Sequence, residues 1–171
     1  KAADSQGSTP QVRYPKQYKS YGADKPGKYE NKQQKYPLGT VVDLNKADTS
    51  ELKSIPGIGS TYATRIVKFR NLLGGFYSVA QLKEVYGIDE EKFDTLKEWF
   101  TVNENTLKQL LVNQLPEDSI RKHPYIDYRQ AKVLVRLRKK IGKLSGWDNL
   151  LLLEEFTEAD KSRLTPYLSF D

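Results

Sequence analysis

The stretch SIPGIGSTYATRI, residues 54–66, sets a proline and two glycines between two short apolar-periodic segments. Gly57 and Gly59 permit two readings: a tight turn between helices, or bare backbone brought close to a ligand. Downstream, Ala63, Ile66, Val67, Arg70 and Leu73 share one face of a helix. Ile58, between the glycines, is expected to turn inward and pin the two helices together. The amides near Gly57, Gly59 and Ser60 then face outward at a helix start. There, unpaired N–H groups and the positive end of the helix dipole suit a phosphate oxygen.

Working outward, the punctuation repeats. Asp48 with Glu51 forms a capping-box pattern that opens a short helix before the hairpin. Gly74 and Gly75 stop the helix after it. Ser78 with Gln81 starts another helix, Gly87 interrupts it, and Asp89 caps a last one reaching Trp99 and Phe100. A shift of 68 residues then lays the second half on the first without a gap. Asn45, Pro56, Ile58, Ala63, Arg70, Gly74 and Leu96 meet Asn113, Pro124, Ile126, Ala131, Arg138, Gly142 and Leu164. Identity and helical phase kept together indicate an internal duplication. The expected architecture is all-α: an irregular arm at 1–40, a first helical unit at 41–105 and a second at 106–171. Units of this size are weakly stable alone, so they are expected to pack on one another.

The chain has no cysteine and one histidine, which excludes disulfides and thiolate zinc sites and disfavours histidine-rich metal sites. No apolar run approaches membrane-spanning length. Opening at Lys1, the sequence reads as a fragment or processed form, any targeting segment lying upstream of it. The formal charge of +6 divides into +5 over 1–40, −2 over 41–105 and +3 over 106–171. A run free of acidic residues, Arg129 to Lys143, adds a second basic concentration, and a nucleic-acid partner fits this distribution. In the arm, Tyr14, Tyr18, Tyr21, Tyr29 and Tyr36 interleave with lysines. It reads as a solvated linker, as a base-stacking strand that follows a phosphate backbone, or as a segment packed on the domain.

The segment LNKADTSELKSIPGIGSTYATRIVKFRNLLGGFYSVAQLKEVYGIDEEKFDTLKEWF resembles the helix-hairpin-helix modules of the ComEA competence-protein type, small SAM-like helical domains. The resemblance runs through L-N-x-A-x, L-x-x-I-P-G-I-G, A-x-x-I-V-x-x-R, G-G-F-x-S-V-x-x-L and Y-G-I-D. HPYIDYRQAKVLVRLRKKIGKLSGWDNL looks like a diverged copy. The resemblance implies non-sequence-specific binding of duplex DNA through hairpin amides, in bacterial DNA uptake or envelope-associated DNA handling. It assigns Gly57, Ile58, Gly59, Ser60 and Thr61 to the first hairpin and Gly87, Ile88 and Asp89 to the second. It allows a monovalent cation on the hairpin carbonyls and implies no other cofactor. The implied setting is extracytoplasmic or membrane-tethered, with an envelope protein as a candidate further partner and no small-molecule substrate.

The copies depart from this pattern. In the second unit Tyr125, Asp127 and Tyr128 stand where Gly57, Gly59 and Ser60 stand in the first, and Glu155 replaces Gly87. Asp127 puts a carboxylate where a phosphate would sit. Arg70 and Arg138 share one slot in an intact and a degenerate copy, so they read as framework. Arg65 and Lys68 lie off the apolar stripe beside the intact hairpin, as phosphate contacts or a solvated face. Arg129, Lys132 and Arg136 are further candidates for DNA, with an acidic protein or anionic headgroups as alternatives. His123 is expected to pack or cap. No nucleophile–base set or metal-ligand cluster is legible, so catalysis is not expected. The competing reading is an interaction or scaffold module that keeps this fold without DNA.

Overall fold

A computed structural model describes residues 34–171. Tyr14, Tyr18, Tyr21 and Tyr29 lie outside the described residues. Tyr36 lies within them and is packed, not presented: its amide donates to the Ser54 carbonyl (2.8 Å) and its ring lies against the core.

In the first half, β1 (Val42–Asp43) precedes α1 (Thr49–Ser54) and α2 (Ser60–Leu73). A 3-10 helix (Val79–Glu84), α3 (Glu90–Leu96) and β2 (Phe100–Thr101) follow. Both halves of the Asp48–Glu51 capping box form. The segment opened by Ser78 winds as a 3-10 helix, with its capping box also complete. The second half repeats the order as β3 (Leu110–Leu111), α4 (Glu117–Ile120), α5 (Tyr128–Ile141), α6 (Trp147–Leu150), α7 (Glu158–Leu164) and β4 (Leu168–Ser169). The all-α expectation holds, with one addition. Two-residue parallel pairings, β1 with β2 and β3 with β4, clasp the ends of each half.

The duplication is visible in individual hydrogen bonds. Asn45 accepts from the Phe76 amide (2.7 Å) and donates to the Phe76 carbonyl (2.8 Å). Asn113 does the same with Leu144, at 2.8 and 2.9 Å. Arg70 donates to the carbonyls of Leu44 (3.0 Å) and Ala47 (2.7 Å), and Arg138 to those of Val112 (2.6 Å) and Leu115 (2.9 Å). These shared residues hold loop carbonyls.

The halves meet through a polar seam within a continuous core. Gly74 ends α2 at φ +83°, and its carbonyl accepts from the Lys108 amide (2.8 Å) where the connecting segment crosses. A β-carbon there would stand 2.7 Å from the Lys108 carbonyl oxygen, so the position stops a helix and also admits the linker. Gln81 donates to the hydroxyls of Tyr125 (2.7 Å) and Tyr167 (2.9 Å). Those hydroxyls donate in turn to Glu84 Oε1 and to the Gly75 carbonyl, both at 2.8 Å.

His123 is buried in this seam. Its Nδ1 accepts from the Tyr125 amide (3.3 Å), which leaves Nε2–H to donate to the Leu73 carbonyl (3.1 Å). Burial lowers its pKa to about 4; the Leu73 hydrogen bond opposes this and nearby Arg163 adds to it. The folded state therefore binds the neutral ring. Its contribution is full above the ordinary value of about 6.5 and is lost as pH falls towards 4, by on the order of 3 kcal/mol. Glu84, raised by burial, works in the opposite sense, since its protonation in acid relieves a buried charge. Urea midpoints measured across this range should fall with acidity in the wild type and fall less in His123→Gln.

Candidate nucleic-acid interface

Four hairpins share one backbone path. In the first, the Ile55 amide donates to Leu52 O and the Ile58 amide to Ile55 O, both at 3.1 Å. The same two-step pattern recurs at Leu82–Val85–Ile88, Ile120–His123–Ile126 and Leu150–Leu153–Phe156. Each hairpin plugs its third residue into the core: Ile58, Ile88, Ile126 and Phe156 are all buried. Ile58 and Ile88, assigned to the hairpins by the motif, turn inward, as the position of Ile58 between the glycines led one to expect. Their side chains point inward and their amides close the turns, so neither has a donor left for a phosphate.

What differs among the hairpins is the start of the following helix. Asp89 accepts from the Lys92 amide (2.8 Å), Asp127 from Gln130 (2.8 Å) and Thr157 from Asp160 (3.2 Å). Gly59 begins α2 with no side-chain cap. The first-turn amides of α2 beside Ser60 and Thr61 thus face a surface where Pro56, Gly57, Gly59, Ser60 and Thr61 are all exposed. The electrostatics of an uncapped helix start favour an anion there. Gly57 takes φ +84°, whereas its counterparts Tyr125 and Glu155 turn without a positive φ. Gly59 has ordinary extended angles and open space where a β-carbon would stand. Its value is the missing cap, not its backbone freedom.

The rim of this hairpin is basic in a way the sequence did not advertise. Lys92 Nζ stands over the Tyr62 ring (5.0 Å) and 3.3 Å from where a Gly57 β-carbon would be. Reciprocally, Arg65 Nη1 stands 2.7 Å from the corresponding point on Gly87. It donates to the Tyr86 carbonyl (3.0 Å), and the guanidinium lies 4.7 Å from the Tyr86 ring centroid. Each hairpin of the first half is thus covered by a cation from the other's helix. Lys92 was legible only as an ordinary surface lysine between acidic neighbours; packing brings it to the first hairpin. Lys68 is half-buried on α2. Gly87 is exposed, but its hairpin ends in the Asp89 cap, which already fills the helix start.

The carbonyl side of the first hairpin is also occupied. Lys35 Nζ donates to the carbonyls of Lys53 (2.5 Å), Ile55 (3.2 Å) and Ile58 (3.3 Å). Those oxygens do not fit a monovalent cation as well, since it would have to share them with an ammonium.

In the second half, Tyr125 does not face a ligand. It replaces the hairpin glycine with a buried ring that docks the two halves, under the Arg163 guanidinium at 4.1 Å. Arg129, Lys132 and Arg136 are exposed along α5, whose start is closed by the Asp127 capping box. They form a basic stripe without open amides. Among the described residues, no group of histidine and carboxylate side chains is placed to hold a metal.

Residues 39–101 match the family described as helix-hairpin-helix motif. ComE operon protein 1 of Bacillus subtilis (strain 168) is 34% identical over 64 residues, covering 37% of this chain and 31% of that protein. Endonuclease/exonuclease/phosphatase family domain-containing protein 1 of Danio rerio is 34% identical over 56 residues, or 33% of this chain and 10% of that protein. The matches span a third or less of the length of these relatives. No solved structure gives a significant match.

Proposed function

From the match of residues 39–101 to the helix-hairpin-helix motif and their similarity to ComE operon protein 1, we propose that this protein binds duplex DNA without sequence preference. The first-turn amides of α2 contact one phosphate with Lys92 beside it, and Arg65 adds its charge at the second hairpin. The observation that carries this reading is the Gly59 helix start, the single one of the four hairpin helix starts without a side-chain cap. Contacts confined to backbone charge predict affinity that ignores sequence and falls with salt. The reading is of a binding protein, not an enzyme. DNA handling at the bacterial envelope, as in competence, is the setting we infer from the resemblance. Among the described residues no helix is long and apolar enough to cross a membrane.

Anisotropy titration of labelled duplexes of unrelated sequence tests this. For about two phosphates neutralised by Lys92 and Arg65, a fourfold rise in salt should weaken binding roughly tenfold, equally for each duplex. Absence of binding at low salt overturns the proposal. That result would favour the scaffold reading, which the use of Tyr125 for packing already supports for the second half.

A further inference from the structure

We propose that Lys35 is a built-in cation for the first hairpin, its ammonium doing on the carbonyls of Lys53, Ile55 and Ile58 what a bound monovalent ion would do. Three backbone oxygens from one tight turn converge on Nζ at 2.5, 3.2 and 3.3 Å. Three converging carbonyl dipoles make a concentrated negative potential that the turn itself cannot relieve. The Ile55 carbonyl already accepts the Ile58 amide, and its remaining lone pair is aimed at Nζ. An ammonium has three donors, one for each oxygen. It is a compact single charge, so it matches in size and valence the ion that such a ring of oxygens would otherwise attract. Unlike an ion, it needs no concentration in solution.

The lysine is held in place independently of these bonds. Next in the chain, the Tyr36 amide donates to the Ser54 carbonyl (2.8 Å) and its ring packs on the core. Lys35 is therefore fixed beside the turn at little further entropic cost. For the third hairpin the residue 68 positions on is Asn103, whose side chain accepts from the Asn105 amide (3.1 Å) and caps its own short turn, and at the second the Arg65 guanidinium reaches the single carbonyl of Tyr86 (3.0 Å). The device belongs to the one hairpin whose helix start is open. It leaves a positive charge there.

The test is thermal unfolding of the wild type and Lys35→Met in potassium chloride and in tetramethylammonium chloride at matched ionic strength. Methionine keeps the apolar stem and removes the ammonium. The wild type should melt at the same temperature in both salts. Lys35→Met should melt about 3–6 °C lower in tetramethylammonium and recover part of that loss in potassium, which can enter the vacated oxygens where the bulky ion cannot. Three results overturn the proposal. A wild type stabilised specifically by potassium would put an ion on the carbonyls. A variant as stable as the wild type in both salts would show that the carbonyls need no cation. A loss equal in both salts would make Lys35 an ordinary tether. The readout contains no DNA, so it stands or falls apart from the binding proposal.

Discussion

Gly59→Asp is expected to weaken duplex binding at least fiftyfold while leaving the protein as stable or slightly more so. The position has φ −100° and open space where a β-carbon would stand, so aspartate fits without strain. It recreates the arrangement at Asp127, whose carboxylate accepts from the amide three residues on at 2.8 Å. That cap removes a charge-assisted bond to phosphate worth about 1.5–3 kcal/mol and adds repulsion between anions, where 1.4 kcal/mol is tenfold. Meanwhile an N-cap carboxylate favours the helix by up to about 1 kcal/mol. Anisotropy titration and urea denaturation of the same preparation separate the effects. Unchanged affinity would locate the DNA elsewhere, and the α5 stripe would be the next surface to probe. Gly57 gives no such clean variant, because its φ of +84° penalises any side chain whatever the ligand.

Gln81→Ala should be the most destabilising conservative truncation in the seam, at about 3 kcal/mol. Gln81 Oε1 accepts from the amides of Tyr77 (2.8 Å) and Ser78 (3.2 Å), and its Nε2 donates to two tyrosine hydroxyls. Alanine leaves the two amides without this acceptor and opens a void between rings. Each buried donor left unsatisfied costs about 1–3 kcal/mol. By contrast, breaking the exposed Lys83–Glu90 pair at 2.6 Å should cost well under 1 kcal/mol. Urea denaturation decides between seam and surface. If Gln81→Ala loses less than 1 kcal/mol and both halves still unfold together, the polar seam does not hold them.

Much of the fold was legible because it is written in local rules. The capping box at Asp48, the helical stop at Gly74 and the inward isoleucines all depend on residues within a few positions of each other. The offset of 68 residues carries them into the second half, where helix α5 begins and ends in step with α2. The candidate site was legible only in part. Gly57, Gly59 and Ser60 mark it, but Ile58 and Ile88 share the motif and are spent on the core.

The sequence by itself determined the hairpins and, through the 68-residue offset, their duplication, because both follow from residue types kept at fixed spacing along the chain. Only the tertiary structure decided what surrounds the open helix start. Lys92 reaches the first hairpin from α3, Lys35 from ahead of β1, and Tyr125 turns a lost glycine into an interface ring. Those placements depend on distance in space between segments far apart in the chain, and side-chain periodicity carries no record of that distance.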